Sequence, residues 1–344
     1  MSCRTRQAGV SLVEILIALT LSLILMAGVL QVLSHTKRTY TLQDALARVQ
    51  ENGRFAIEVL GRDLRMAGYL GCNGRALDQV VNTLNDSDTL AYDFADAIRG
   101  FGASGTGWQP PLDSALLARS PLAGSDIVTL TALQDDDIAV VPPFMNNQSA
   151  TLHAAPGSGL QQFDIVLVGD CRHSAIMQIT NNNPSGSGEL VHNTGLGTPG
   201  NATSNLGAVF QGDAEIGRIV RRSYFLRTGQ NGRPALWQYH NSRPVSGSNP
   251  AELISNVERM VVRYGVDTTG DRQIDAYHTA AEVETAGLWP RVLSARLALL
   301  LASADEVQPR EARSYALLDE TVATDDGRVR RVFATTVTLR NRAP

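Results

Sequence analysis

A chain of 344 residues that is 43% hydrophobic and 19% charged can bury a sizeable core, which excludes global disorder. Its 30 Lys and Arg against 34 Asp and Glu give a net charge of −4, without the basic excess that marks a nucleic-acid binder. The three cysteines, Cys3, Cys72 and Cys171, are an awkward number for an oxidising compartment, where thiols pair.

Residues 10–33 read VSLVEILIALTLSLILMAGVLQVL and contain one charge, Glu14. As a helix this run is roughly 36 Å long, enough to cross the apolar core of a bilayer. It is too long for the apolar region of a secretory signal, and His35, Thr36, Lys37 and Arg38 follow where a small-residue cleavage site would stand. In front of it stand Arg4, Thr5, Arg6, Gln7, Ala8 and Gly9. Basic residues, a glycine, an apolar run and one carboxylate five positions after the glycine together resemble the type IV prepilin signal. That resemblance implies a cut between Gly9 and Val10 by a prepilin peptidase, methylation of the new terminus and an assembly role for Glu14. Val10 departs from the family, which usually has phenylalanine there, and an uncleaved anchor is the alternative. Arg4 and Arg6 favour a cytoplasmic N-terminus, and a long domain translocates despite Lys37 and Arg38. The expectation is a single-pass inner-membrane protein with a periplasmic head, located in the pilus after assembly. The cut would remove two arginines and Cys3, leaving a net charge of −6 and an even pair of cysteines.

No proline precedes Pro110, so nothing breaks a helix early. Leu42, Leu46, Val49, Gly53, Ala56, Leu60 and Leu64 recur at spacings of three and four, one face of an amphipathic helix. The spacing predicts one helix over residues 10–66, roughly 85 Å long, ended by Gly68 and Gly71. Residues 45–72, ALARVQENGRFAIEVLGRDLRMAGYLGC, resemble the PilW minor pilins of type IV pilus systems. DIVLVGDC (164–171), VRYGVDTTGD (262–271) and VTLRNR (337–342) are similar to that family too, whereas 80–160 and 183–215 match nothing in it.

From about residue 120 the pattern turns to short apolar or alternating runs broken by Gly, Pro, Asn and Ser. Strands are predicted over 126–132, 164–168, 175–180, 219–227, 236–239, 260–266, 292–301 and 329–339. Residues 181–205 read as an exposed loop. Within them Gly195, Gly197 and Gly200 spell G-x-G-x-x-G, but Pro199 and polar neighbours deny the strand and helix that a dinucleotide site needs. Asp267, Thr269, Asp271 and Asp275 place oxygen side chains at alternate positions, as a calcium loop begins. Arg272 stands where such a loop needs glycine, and His278 where it needs glutamate, so a hairpin turn is the competing reading. The six histidines form no H-E-x-x-H, and no G-x-S-x-G occurs, so no catalytic constellation is legible.

The fold class expected is α+β: a long transmembrane and spine helix packed against a C-terminal antiparallel β-rich head, as in type IV pilins. The domains expected are a leader over 1–9, the helix over 10–66 and the head over 67–344. The resemblance implies a non-enzymatic minor pilin that helps initiate the pilus near its tip. Its implied partners are other minor and major pilins, the prepilin peptidase and the inner-membrane assembly platform, with no nucleic acid and no small-molecule substrate. The alternatives are a minor pseudopilin of a type II secretion system and a tip adhesin module. In a periplasmic head Cys72 and Cys171 are expected to form a disulfide, the alternative being two buried thiols. No cofactor is expected beyond the calcium alternative.

Overall fold

The computed structural model describes residues 11–71, 80–134, 138–241 and 249–342. Its first element is α1 (Leu12–Met66), a single 55-residue helix, about 80 Å long. Through Thr41 every residue of α1 is exposed; beyond it Val49, Gly53, Ala56, Leu60, Gly61, Asp63 and Leu64 are buried. The predicted apolar stripe is therefore the seat of the head. Ala67 leaves the helical region at ψ 133°, and Gly68 follows at φ +75°, donating its amide to the Thr131 carbonyl at 2.7 Å. A side chain there would strain the left-handed backbone that turns the chain into the head.

The head begins with β1 (Val81–Asn82), β2 (Ile98–Ser104), β3 (Gly107–Gln109), α2 (Ser114–Leu117), β4 (Ile127–Leu133) and β5 (Ile138–Ala139). It continues with β6 (Leu152–His153), β7 (Ile165–Gly169), β8 (Ser174–Gln178), α3 (Pro184–Ser187), β9 (Glu189–Leu190), β10 (Glu215–Thr228), β11 (Pro234–His240) and β12 (Ala251–Ser255). It closes with β13 (Val257–Val266), β14 (Ala276–His278), α4 (Ala280–Thr285), β15 (Val292–Glu306), β16 (Arg313–Leu317), β17 (Glu320–Thr324) and β18 (Arg328–Thr338).

Two main sheets result. The larger runs β1-β8-β7-β10-β4-β2-β3, with β5, β11 and β12 attached through β10. β10 is long enough to take partners in two tiers: β5 and β7 along Glu215–Arg218, then β4 and β11 along Ile219–Thr228. The smaller sheet, β14-β13-β15-β18, is antiparallel throughout and carries α1. The β16–β17 hairpin covers its other face, closing a small core of Val261, Ala298, Leu300 and Leu317.

The principal core joins α1 to both sheets, from Val49, Ala56, Leu60 and Leu64 to Leu226, Leu236, Val262, Leu297 and Leu299. A second core lies apart from α1, built from residues of the 140–216 stretch such as Leu160, Val166, Met177, Leu190 and Phe210.

All eight predicted strands exist, but the β pattern starts earlier than residue 120, at β1 and β2. The reason is composition: β2 reads IRGFGAS, two glycines and an arginine in seven residues. Residues 181–205 are not simply an exposed loop. Leu190, His192, Pro199 and Asn201 are buried, and Asn201 pins the segment by accepting the Gln178 amide at 2.8 Å and donating to the Gln178 carbonyl at 2.8 Å.

Gly53 is where α1 comes closest to β18: a Cβ added there would overlap the Phe333 ring. Gly53→Ala is expected to lower unfolding stability by about 1–3 kcal/mol, as overpacked contacts do, in denaturant titrations of the detergent-solubilised chain. In a Phe333→Ala background the same change should cost little more. An unchanged midpoint in the single variant would mean that the half-buried ring swings aside.

Candidate functional site

Two ends of α1 matter for function. At the N-terminal end Ser11 caps the helix, its hydroxyl accepting the Val13 amide at 3.3 Å. Glu14 completes a capping box by accepting the Ser11 amide at 2.9 Å. The one charge in the apolar run thus stands where the helix dipole favours an anion. The helix is long and apolar enough to cross a membrane there, and that apolar stretch is not buried against any of the described residues.

At the other end the helix locks into the head through polar groups. Asp63 is buried and meets the larger sheet: Arg222 Nη1 donates to its Oδ2 at 3.3 Å, and the Tyr224 hydroxyl donates to the same oxygen. Gln238 donates to the Tyr224 hydroxyl in turn, at 2.5 Å. Burial pushes the Tyr224 hydroxyl well above its ordinary value, and the Asp63 charge adds to that. His240 lies beside the same groups; burial pushes its imidazole down to about 4, reinforced by Arg222 and opposed by Asp63. Asn341, just after β18, reaches back so that its amide faces the Arg65, Met66 and Ala67 carbonyls at 3.4–3.5 Å. Those are the carbonyls a helix end leaves unpaired.

Of the residues singled out in the sequence, Gly9, Val10 and Cys72 lie outside the described residues. Cys171 sits in the β7–β8 turn at φ +65°. Asp267, Thr269, Asp271 and Asp275 belong to the loop joining β13 to β14. Their carboxylates serve that loop's own amides: Asp267 accepts from Gly270 and Arg272, Asp271 from Gln273, and Asp275 from Thr268 and Thr269. These hydrogen bonds hold the carboxyls of Asp267 and Asp275 below their ordinary value, against some desolvation. Among the described residues no three His, Cys, Asp or Glu side chains converge as a metal site. Asp63, Arg222 and Asn341 escaped sequence reading. The only signal for Asp63 was its place within one residue of the apolar stripe, where a solvated acid is not expected.

The family described as Type IV Pilus-assembly protein W matches residues 223–341, and the prokaryotic N-terminal methylation motif matches residues 4–30. The first match begins within β10 and ends on Asn341, so it takes in the whole helix-bearing sheet and leaves out the second core. The chain thus carries a PilW-type segment over residues 223–341 and a prepilin-type methylation motif over residues 4–30. Among solved structures, the type IV-like pilin TTHA1219 from Thermus thermophilus aligns at 14% identity over 86% of this chain and 98% of its own, with a TM-score of 0.35. No curated protein matches the chain.

Asp63 gives the sharpest test of the seat. Asp63→Ala leaves the buried Tyr224 hydroxyl without its acceptor and the part-buried Arg222 without its anion, and is expected to destabilise the head by about 3 kcal/mol. Asp63→Leu, which also fills the space, should not recover the loss unless Arg222 is replaced as well. Urea titrations of the two single variants and the double variant measure this coupling.

Proposed function

We propose that this chain is a minor pilin of a type IV pilus, acting in initiation near the filament tip. Prepilin peptidase cuts between Gly9 and Val10, α1 holds the chain in the inner membrane with the head in the periplasm, and the assembly platform moves it into the filament beside minor and major pilins. The observation that carries this reading is the division of α1: an apolar, fully exposed half with one acid, then a half buried in the head. A plain anchor has no need of Glu14 at its start, nor of a helix that runs unbroken into the domain it tethers.

The capping box makes one substitution diagnostic. Glutamine serves a capping box as glutamate does, so Glu14→Gln keeps the local cap and removes only the charge. If Glu14 acts between chains, against the ammonium exposed on a neighbour by the cut, Glu14→Gln should insert and be cleaved normally. It should then drop out of pilin complexes in crosslinking, and surface piliation should fall. Normal incorporation of Glu14→Gln would refute the intersubunit role.

The head's link to α1 is further proposed to hold a Cys72–Cys171 disulfide. The Leu133 amide donates to the Tyr69 carbonyl at 2.9 Å, which brings the end of the helix to β4. Leu133 lies opposite Ile219 of β10, and Gly169 opposite Glu215, four residues or about 13 Å along the same strand. A bridge closing a loop of about 100 residues would stabilise the head by roughly 4–5 kcal/mol in the chain-entropy description. Peptide mapping of membrane-extracted protein tests both processing and pairing: a methylated N-terminus at Val10 and a Cys72–Cys171 peptide are expected. An intact Met1 sinks the first, and two free thiols sink the second.

A further inference from the structure

The apolar run of α1 ends at Leu33, and His35, Lys37, Arg38 and Tyr40 follow it closely. No Asp or Glu occurs between Glu14 and Asp44, so no carboxylate lies within four positions of Lys37 or Arg38, the reach of a helix ion pair. α1 is exposed throughout up to Thr41, and Tyr40 presents 71% of its surface. The next cation along the helix, Arg48, pairs with Asp44 at 2.9 Å. Lys37 is also the chain's only lysine. Where charges pair inside the head, the planar arginine fork does it: Arg222 with Asp63, Arg263 with Asp126, Arg330 with Glu258. An ammonium on a flexible stem suits a different task, reaching phosphate while its methylenes lie along apolar surface.

Position along the helix fits that task. From Glu14 to Lys37 the helix rises about 35 Å. That brackets a bilayer core of about 30 Å, and the headgroup layer adds about 5–8 Å on each side. Lys37 and Arg38 stand about 6 and 7.5 Å beyond Leu33, within that layer. Tyr40, about 10 Å beyond, reaches back into it, because helical side chains lean toward the N-terminus. Around the axis, at about 100° per residue, His35, Tyr40, Lys37 and Arg38 fall at about 0°, 140°, 200° and 300°. No single face of the helix holds them. A protein partner would meet one face, whereas lipid surrounds a spanning helix on all sides.

We infer that Lys37 and Arg38, flanked by His35 and Tyr40, form a collar that binds the phosphates of anionic phospholipid where α1 leaves the membrane; this rests on the reading of α1 as a spanning helix given above. The ammonium and the guanidinium donate charge-assisted hydrogen bonds to phosphate oxygens. Tyr40 lies at headgroup level, as interfacial aromatic rings do. Each cation adds attraction to an anionic surface that falls off within a Debye length. The collar sets how far α1 stands out of the bilayer, and with it the height at which the head is held. In the proposed orientation it also accounts for two cations on the side of the membrane where the positive-inside rule disfavours them.

Native mass spectrometry of the detergent-solubilised full chain, titrated with phosphatidylglycerol or phosphatidylcholine, provides the test. Phosphatidylglycerol is expected to bind more tightly. Lys37→Gln and Arg38→Gln, both at exposed positions outside the helix seat, should each weaken phosphatidylglycerol binding on the order of five-fold and leave phosphatidylcholine binding unchanged. Lys37→Arg should keep it. Because Lys37 is the only lysine, its acetylation by a water-soluble reagent should also be slower in phosphatidylglycerol vesicles than in phosphatidylcholine vesicles. Lys37→Gln and Arg38→Gln proteins that bind phosphatidylglycerol as tightly as the unaltered chain overturn the inference. So does a preference that Arg4→Gln/Arg6→Gln alone abolishes, and so does equal acetylation in the two kinds of vesicle. The pilin reading fails on different evidence, an uncut N-terminus and absence from pili, and neither result depends on which lipid is bound.

Discussion

Phe333 of β18 can lie against the backbone of α1 only because residue 53 is glycine. From that contact the helix passes over the small sheet with Ala56, Leu60 and Leu64 each at most 2% exposed. Burying a large apolar side chain contributes roughly 1.5–3 kcal/mol, so a few such residues hold the helix firmly but leave its rotation loosely specified. Asp63 removes that freedom. A buried carboxylate that finds Arg222 and Tyr224 in one orientation only makes every other rotation of α1 costly, even where the ion pair adds little net stability. Asn341 then closes the end of the helix with the last described turn of the chain.

The two sheets are stitched by a short polar segment rather than by continued strand pairing. Ser125 and Met260 exchange hydrogen bonds, with Met260 N to Ser125 Oγ at 2.9 Å and Ser125 Oγ to Met260 O at 3.2 Å. Asp126 accepts the amides of Ala103 and Val262, each at 2.8 Å, and meets Arg263 at 3.1 Å. Burial pushes its carboxyl upward while those amides and Arg263 pull it back. On the other side of this seam Gly100 leaves room for the Tyr264 ring, which packs edge-on against Trp289 at 5.0 Å. The helix-bearing sheet and the larger sheet thus share one core, while the second core stays clear of both the helix and the seam.

What was legible in the sequence follows from which signals are periodic. The helix could be read to within two residues of its start because a 24-residue, largely apolar run and then a stripe at three- and four-residue spacing leave no competing structure. The strands buried on the small sheet, such as β15 with VLSARLALLLASADE, were equally plain. β2, β12, β14 and the β16–β17 hairpin were not, because short strands with glycine or exposed polar alternation look like loop until a partner strand is known. Residues 181–205 misled for a related reason: Asn201 is polar by composition, yet it is buried as a hydrogen-bonded pin. At the candidate site Glu14 was conspicuous as a lone charge, whereas the meaning of Asp63 depends on Arg222 and Tyr224, about 160 residues away. In the oxygen-rich loop at 267–275 the spacing fits both a turn and the start of an ion-binding loop, and in the fold Asp267, Asp271 and Asp275 accept hydrogen bonds from the loop's own amides.

Because α1 is one helix without a break, position along it and angle around it are the same variable. Each residue adds about 1.5 Å of rise and about 100° of rotation. Glu14 at one end and Asp63 at the other are therefore fixed relative to each other by the number of residues between them, and an insertion of one residue would turn the whole head by about 100° against the membrane half. A tethered domain on a flexible linker would absorb such a change. Here an insertion in the exposed half, before Leu42, would turn the head while leaving its seat on α1 intact. The constraint on this stretch is thus one of length and phase as much as of side-chain chemistry. It accounts for a run from Leu12 to Met66 with no proline and no glycine pair where a bend would be cheap.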